Sequence, residues 1–179
     1  MIRLFAALSL PSEVTERLVA LQSGLSGWRL SPERNLHVTL AFFGEVDQGR
    51  AADVDAALGA VHAPGFDLWL DGVDVFGAPR PRIAYAAVRP DPALTLLRDK
   101  VRQAGRAAGI ELTAERYVPH VTLARGGARA DQRLTRWLES GAAFLAGPIP
   151  VHGFQLYRSD LGRGGPIYTE LASYPTTRS

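Results

Sequence analysis

The segments Asn35–Val46, NLHVTLAFFGEV, and Tyr117–Gly127, YVPHVTLARGG, share the tetrapeptide HVTL. Of the chain's four histidines, two head this tetrapeptide, at positions 37 and 120, 83 residues apart. From ordinary residue frequencies such a coincidence is on the order of 10⁻³. The β-formers in each copy read as a short strand. On a strand, side chains alternate between faces, so His37 and Thr39 share one face while Val38 and Leu40 share the other. His120 and Thr122 repeat the arrangement. The apolar pair packs inward, and folding alone gives no reason for a histidine on the outward face.

The surroundings of the two copies repeat as well. Leu4–Leu10 is an apolar strand ended by Pro11-Ser12, followed by a helix with Val14, Leu18, Leu21 and Leu25 on one face. Trp28 to Asn35 reads as a loop, His37–Phe43 as a strand, and Gly44 to Gly49 as its break. A helix from Arg50 carries Val54, Leu58 and Val61, and Phe66–Phe76 is a strand with a bulge at Gly72. The order then restarts with strand Ile83–Val88. Asp91-Pro92 opens a helix with Leu94, Leu97, Val101, Ala104 and Ala108, stopped by Gly109. The second HVTL strand follows, then a helix capped by Asp131 that carries Leu134 and Leu138 and ends at Gly141. Val151–Tyr157 and Ile167–Ser173 complete the chain. Leu4 precedes His37 by 33 residues and Ile83 precedes His120 by 37; Val73 and Phe154 follow their histidines by 36 and 34. These spacings predict an α+β protein of two β-α-β-α-β units, each of about 80 residues and each with its own sheet. The lobes fall at 1–80 and 81–179, with exchange of strands between them allowed for, and a pseudo-two-fold relates them. If the lobes face each other, two imidazoles and two hydroxyls converge on one cleft.

That set suits displacement at phosphorus. One group must activate the attacking oxygen and another must protonate the departing one, on opposite sides of the phosphorus. Histidine titrates near neutrality, so one ring can be neutral while the other is charged. Threonine hydroxyls can hydrogen-bond the non-bridging oxygens, and no metal is required.

Composition narrows the alternatives. With 46% hydrophobic and 21% charged residues, the 179-residue chain is an ordinary globular protein, and a net charge of +2 does not announce non-specific nucleic-acid binding. The cations are arginines apart from Lys100. Without cysteine, disulfides, thiolate nucleophiles and Cys-based zinc sites are excluded. The apolar start reads as a buried strand rather than a signal peptide, and no run reaches membrane-spanning length, so a cytoplasmic protein is expected; a monomer is the separate expectation for its assembly. No G-x-S-x-G, H-E-x-x-H or P-loop pattern is present.

With both H-x-T-x motifs in duplicated contexts, the chain resembles the two-histidine (2H) phosphoesterases, most closely the RNA 2′,3′-cyclic phosphodiesterases also called 2′-5′ RNA ligases. RLFAALSLP, the Trp28-to-His37 approach, PHVTLAR and FQLYRSDL…GGPIY extend the likeness over nearly the whole chain. The resemblance implies a bilobal fold with an antiparallel sheet in each lobe, helices outside and a central cleft. It implies metal-independent, cofactor-free hydrolysis of an RNA terminal 2′,3′-cyclic phosphate to a 2′-phosphomonoester, with His37 as proton donor to O3′ and His120 as proton acceptor. The motifs alone leave those two roles interchangeable. Joining such an end to a 5′-hydroxyl without ATP would be the same displacement. The implied partners are RNA ends such as tRNA halves, or small nucleotides. Two alternatives remain: a phosphodiesterase for a small nucleotide such as ADP-ribose cyclic phosphate, and a non-catalytic RNA-end binder.

Thr39, Thr122, Arg125 and Phe42 complete the candidate substrate contacts. Arg125 lies five residues after His120, on the opposite face of a regular strand; it reaches the cleft if the strand ends near Ala124. Phe42 holds the equivalent place in the first half, as a base-stacking or a core aromatic. Tyr157 and Arg158 are weaker candidates. Gly162, Gly164 and Gly165 read as a turn before Ile167, and His62 and His152 as non-catalytic.

Overall fold

A computed structural model describes residues 1–126 and 129–177. Along the chain run β1 (Ile2–Ser9), α1 (Ser12–Leu21), β2 (Arg29–Leu30), β3 (His37–Val46), α2 (Gln48–Gly59) and β4 (Phe66–Phe76). There follow β5 (Ile83–Val88), α3 (Pro92–Ala107), β6 (His120–Arg125), α4 (Gln132–Gly141), β7 (Leu145–Val151), β8 (Gly153–Gly162) and β9 (Gly165–Pro175). The fold is α+β, with two antiparallel sheets in the orders β3-β1-β8-β9 and β2-β6-β5-β4-β7.

Without the short β2, the two sheets have one layout. β1 and β5 take the same place beside the two HVTL strands, and β8 and β4 lie on their other sides. Yet β4, from the first half of the sequence, belongs to the sheet of the second HVTL strand, and β8 belongs to the sheet of the first. A boundary at residue 80 therefore does not divide the sheets. The exchange ties each half of the chain into both lobes.

The predicted helices have the predicted reasons. The Asp91 carboxylate accepts from the backbone N–H groups of Ala93 and Leu94, and Asp131 accepts from Leu134. In α3, Leu94, Leu97 and Val101 are buried, each contributing about 1.5–3 kcal/mol of apolar transfer. α3 packs against α2, β3 and β4, so it contacts both sheets. The central strand β1 buries Leu4, Phe5, Ala6, Ala7 and Leu8 in succession, because both of its faces are covered. In β4 the pairing slips between Leu70 and Val73, and Gly72 between them has φ +80°, which accounts for the predicted bulge.

Four expectations need correction, the first being the break at Gly44, which β3 passes through to reach Val46. The segment read as a loop from Trp28 to Asn35 contains β2, too short for any periodicity. The closing strand does not run from Val151: β7 ends there, His152 lies between strands, and β8 starts at Gly153. β7 itself was hidden by Gly147, Pro148 and Pro150, which a central strand would not tolerate. It is an edge strand, where missing N–H donors cost little. Finally, α2 starts at Gln48, because Asp47 caps it by accepting from the Arg50 N–H.

Candidate active site

The pentapeptide HVTLA, common to β3 and β6, contains the device that builds the site. Between β1 and β3, Ala6 opposes Ala41 but the next residue, Ala7, opposes Thr39, so Leu40 is an extra residue. Between β5 and β6, Ala84 opposes Ala124 and Tyr85 opposes Thr122, leaving Leu123 extra. Both strands therefore bulge at the same leucine. Leu40 and Ala41 are both buried, as are Leu123 and Ala124. Alternation loses one step there, and the fifth residue after each histidine returns to the histidine's face. This brings Phe42 and Arg125 to the His/Thr side. The strand does not end before Arg125, contrary to the route expected from the sequence; the bulge turns the side chain instead.

His37, Thr39, Phe42, His120, Thr122 and Arg125 all line one cleft of about 420 Å³. Phe42 is 62% exposed at its rim, which rules out a core role. Both rings are oriented in the same way. His37 Nδ1 lies 2.6 Å from the Asn35 carbonyl oxygen, and His120 Nδ1 lies 2.8 Å from that of Val118. A carbonyl only accepts, so Nδ1 carries the proton in each ring and Nε2 is the basic nitrogen of the neutral form. The Thr39 hydroxyl lies 2.9 Å from His37 Nε2 and donates to it when the ring is neutral. Among the described residues His120 Nε2 has no such partner, and its lone pair is available to a substrate or water.

Aromatic rings wall both imidazoles. Phe5 and Tyr168 have centroids 5.1 and 5.4 Å from His37; Phe76 and Tyr85 lie 5.0 and 5.2 Å from His120. Sequence reasoning missed all four, because each sits on a strand other than its histidine's. The resulting burial disfavours the charged form. It pushes the pKa of His37 down to about 4, partly offset by the Asn35 carbonyl and reinforced by the His120 and Arg125 charges. Burial also lowers His120, against the Val118 carbonyl and with a contribution from Arg125.

Two further contacts hold the site together. Asn35, which is buried, donates from Nδ2 to the Pro166 carbonyl at 2.8 Å, fixing the β8–β9 hairpin tip against the residue that orients His37. Tyr117 donates its hydroxyl to the Thr39 carbonyl at 2.9 Å, joining the approach to β6 to the middle of β3. Gly164 lies in the two-residue connection between the paired Gly162 and Gly165, and both Gly164 and Gly165 reach the cleft. Tyr157 lines an adjoining hollow that shares His37 and Tyr168, while Arg158 is paired with Asp160 at 2.9 Å. His62 and His152 lie outside the cleft. Among the described residues no three His, Cys, Asp or Glu side chains are grouped to hold a metal ion, and no helix is long and apolar enough to cross a membrane.

Fold and cleft together define a duplicated α+β protein in which each lobe presents a histidine and a threonine to a shared, aromatic-walled site. The chain belongs to the 2′-5′ RNA ligase superfamily, whose family model matches residues 10–163. It is similar to an RNA 2′,3′-cyclic phosphodiesterase of Aeropyrum pernix, 34% identical over 142 residues that cover 78% of this chain and 81% of that one. It is also similar to an RNA 2′,3′-cyclic phosphodiesterase of Escherichia coli K12, 30% identical over 98% of this chain and 97% of the other. The crystal structure of E. coli LigT complexed with 3′-AMP superposes with a TM-score of 0.82 at 28% identity, covering 98% of both chains.

Proposed function

We propose that this protein hydrolyses the 2′,3′-cyclic phosphate at an RNA end to a 2′-phosphomonoester. The observation that carries the reading is the matched pair of imidazoles, each with Nδ1 held by the carbonyl two residues earlier and with Nε2 at a shared cleft. The relatives named RNA 2′,3′-cyclic phosphodiesterase support the choice of substrate. In the reaction His120 Nε2 takes a proton from water as the water oxygen bonds to phosphorus. The phosphorus–O3′ bond breaks, and His37 Nε2 delivers its proton to O3′. The two rings end with their protonation states exchanged, and solvent resets them. Thr39, Thr122 and Arg125 offer donors to the non-bridging oxygens as charge builds there. The Thr39 hydroxyl can accept from a charged His37 as readily as it donates to a neutral one.

The lowered pKa of His37 is no obstacle to the donor role. The cyclic phosphate brings a negative charge to the site, which favours imidazolium over imidazole. With an RNA 5′-hydroxyl in place of water, the same displacement forms a 2′-5′ linkage and needs no ATP.

The test is an oligonucleotide ending in a 2′,3′-cyclic phosphate, assayed in EDTA with the wild type and with His37→Ala and His120→Ala. Each variant is expected to lose roughly 10²–10⁴ in rate. Full activity in either variant, or turnover only on addition of a divalent metal, would sink the mechanism.

A further inference from the structure

We propose that Arg29 binds the phosphodiester one nucleotide upstream of the reacting RNA end and so favours oligonucleotides over mononucleotides. The inference rests on the cyclic phosphodiesterase reading above and names the residue that would sense chain length.

Arg29 lies in the edge strand β2 and pairs directly with Arg125 of β6. Directly opposed residues on antiparallel neighbours project from the same face, with Cβ atoms about 5 Å apart. Both arginines line the cleft and both are exposed. Two like charges opposed in this way destabilise a sheet, unless an anion lies between them. Among the described residues the protein supplies none: no aspartate or glutamate lines the cleft, and neither arginine makes an ion pair. The pair is thus a site for anionic groups from outside.

The two arginines stand at different depths. Arg125 shares its strand with His120 and Thr122, and its charge acts on both imidazoles. Arg29 stands one strand further out, on the sheet edge. An RNA strand gripped at its terminal phosphate must carry its next phosphate out of the cleft, and Arg29 is the cation at that rim. A guanidinium fork matches the paired oxygens of a phosphodiester. A mononucleotide cyclic phosphate has no second phosphate to offer.

The experiment compares kcat/KM for the dinucleotide ApA ending in a 2′,3′-cyclic phosphate with that for adenosine 2′,3′-cyclic phosphate, in wild type, Arg29→Gln and Arg29→Lys. In Arg29→Gln the dinucleotide-to-mononucleotide ratio is expected to fall about tenfold, the loss of a hydrogen bond to a charged group. The slope of log kcat/KM against log salt for the dinucleotide should shallow by about 0.7, one single-strand phosphate contact. Arg29→Lys keeps the charge and should keep that slope. Thermal unfolding of Arg29→Gln should occur at or above the wild-type midpoint, because a like-charge pair is relieved. An unchanged ratio in the folded Arg29→Gln protein, including an equal fall on both substrates, overturns the role of Arg29. Failure of the wild type to turn over either substrate overturns the phosphodiesterase reading and the inference with it.

Discussion

β3 and β6 carry the same pentapeptide and the same bulge, and they part at the next residue, which is Phe42 in one strand and Arg125 in the other. As far as that residue the main chain treats the two lobes alike: each histidine is oriented by the carbonyl two residues back, and each bulge turns a fifth residue into the cleft. The difference lies in what the symmetric scaffold delivers. One lobe offers a flat apolar ring, the other a fixed positive charge. His37 is tied to Thr39, whereas among the described residues His120 has no equivalent bond to Thr122. Symmetry thus builds the site, and single side chains divide the labour within it.

The sharpest way to break the comparison is to remove one histidine at a time and follow kcat/KM against pH. Both variants should lose roughly 10²–10⁴, but they should lose opposite limbs of the profile. His37→Ala, lacking the acid, should abolish the fall at high pH; His120→Ala, lacking the base, should abolish the fall at low pH. The reverse pattern would exchange their roles. In the wild type both free-enzyme pKa values lie below the ordinary 6.5, so the kcat/KM optimum should sit on the acid side of that value. The kcat profile reports the complex, where phosphate charge favours imidazolium, and its optimum should lie at higher pH. Coincident optima would count against this account.

Next come the two residues that differ. Arg125→Gln should cost about 10- to 100-fold in kcat/KM, chiefly in kcat, as a charge-assisted contact to the reacting phosphate is lost. Phe42→Ala should cost less, about 1–3 kcal/mol of stacking energy, and should appear in KM. Equal losses in the same constant would erase the distinction between the lobes.

The burial of His37 also has a stability signature. Its folded pKa of about 4 lies below the unfolded value of 6.5, so between those pH values the unfolded chain binds a proton that the folded protein refuses. The full stability is present above pH 6.5 and declines as the pH falls toward 4, by up to about 3 kcal/mol. Urea titrations at pH 7 and pH 4 should show the loss in wild type and a smaller one in His37→Gln. An identical loss in both would assign it to other groups.

Much of this was legible in the sequence, and the parts that were not share a cause. Helix starts at Asp91 and Asp131 were readable because a cap is local: carboxylate and N–H lie within three residues. The duplicated histidines were readable because identity at matched spacing needs no coordinates. The bulges were not, since leucine and alanine after His-x-Thr look the same whether a strand alternates or skips. The repeat drew the lobe boundary between β4 and β5, which pair with each other, because a strand's partner is not recorded in its own residues. Arg29 was hidden for the same reason. Its meaning comes from the strand opposite, 96 residues further along at Arg125.

The smallest predicted effect concerns Tyr117, which spans the two lobes. Its hydroxyl reaches from three residues before His120 to the Thr39 carbonyl, beside the bulge that leaves Leu40 unpaired. Burial raises its pKa, so the hydroxyl stays protonated as a donor, and the Arg98 guanidinium lies 4.8 Å from the ring centre. Tyr117→Phe keeps the ring and deletes one hydrogen bond, leaving a carbonyl at the bulge without its partner. The cost should be about 1–2 kcal/mol in unfolding free energy. If the bond also holds β3 at its working distance from β6, kcat should fall a few-fold with KM little changed, because the reacting groups rather than the binding groups are displaced. A loss of stability with unaltered kcat would make Tyr117 a brace for the lobes and nothing more. The symmetric bulges would then suffice to place both histidines.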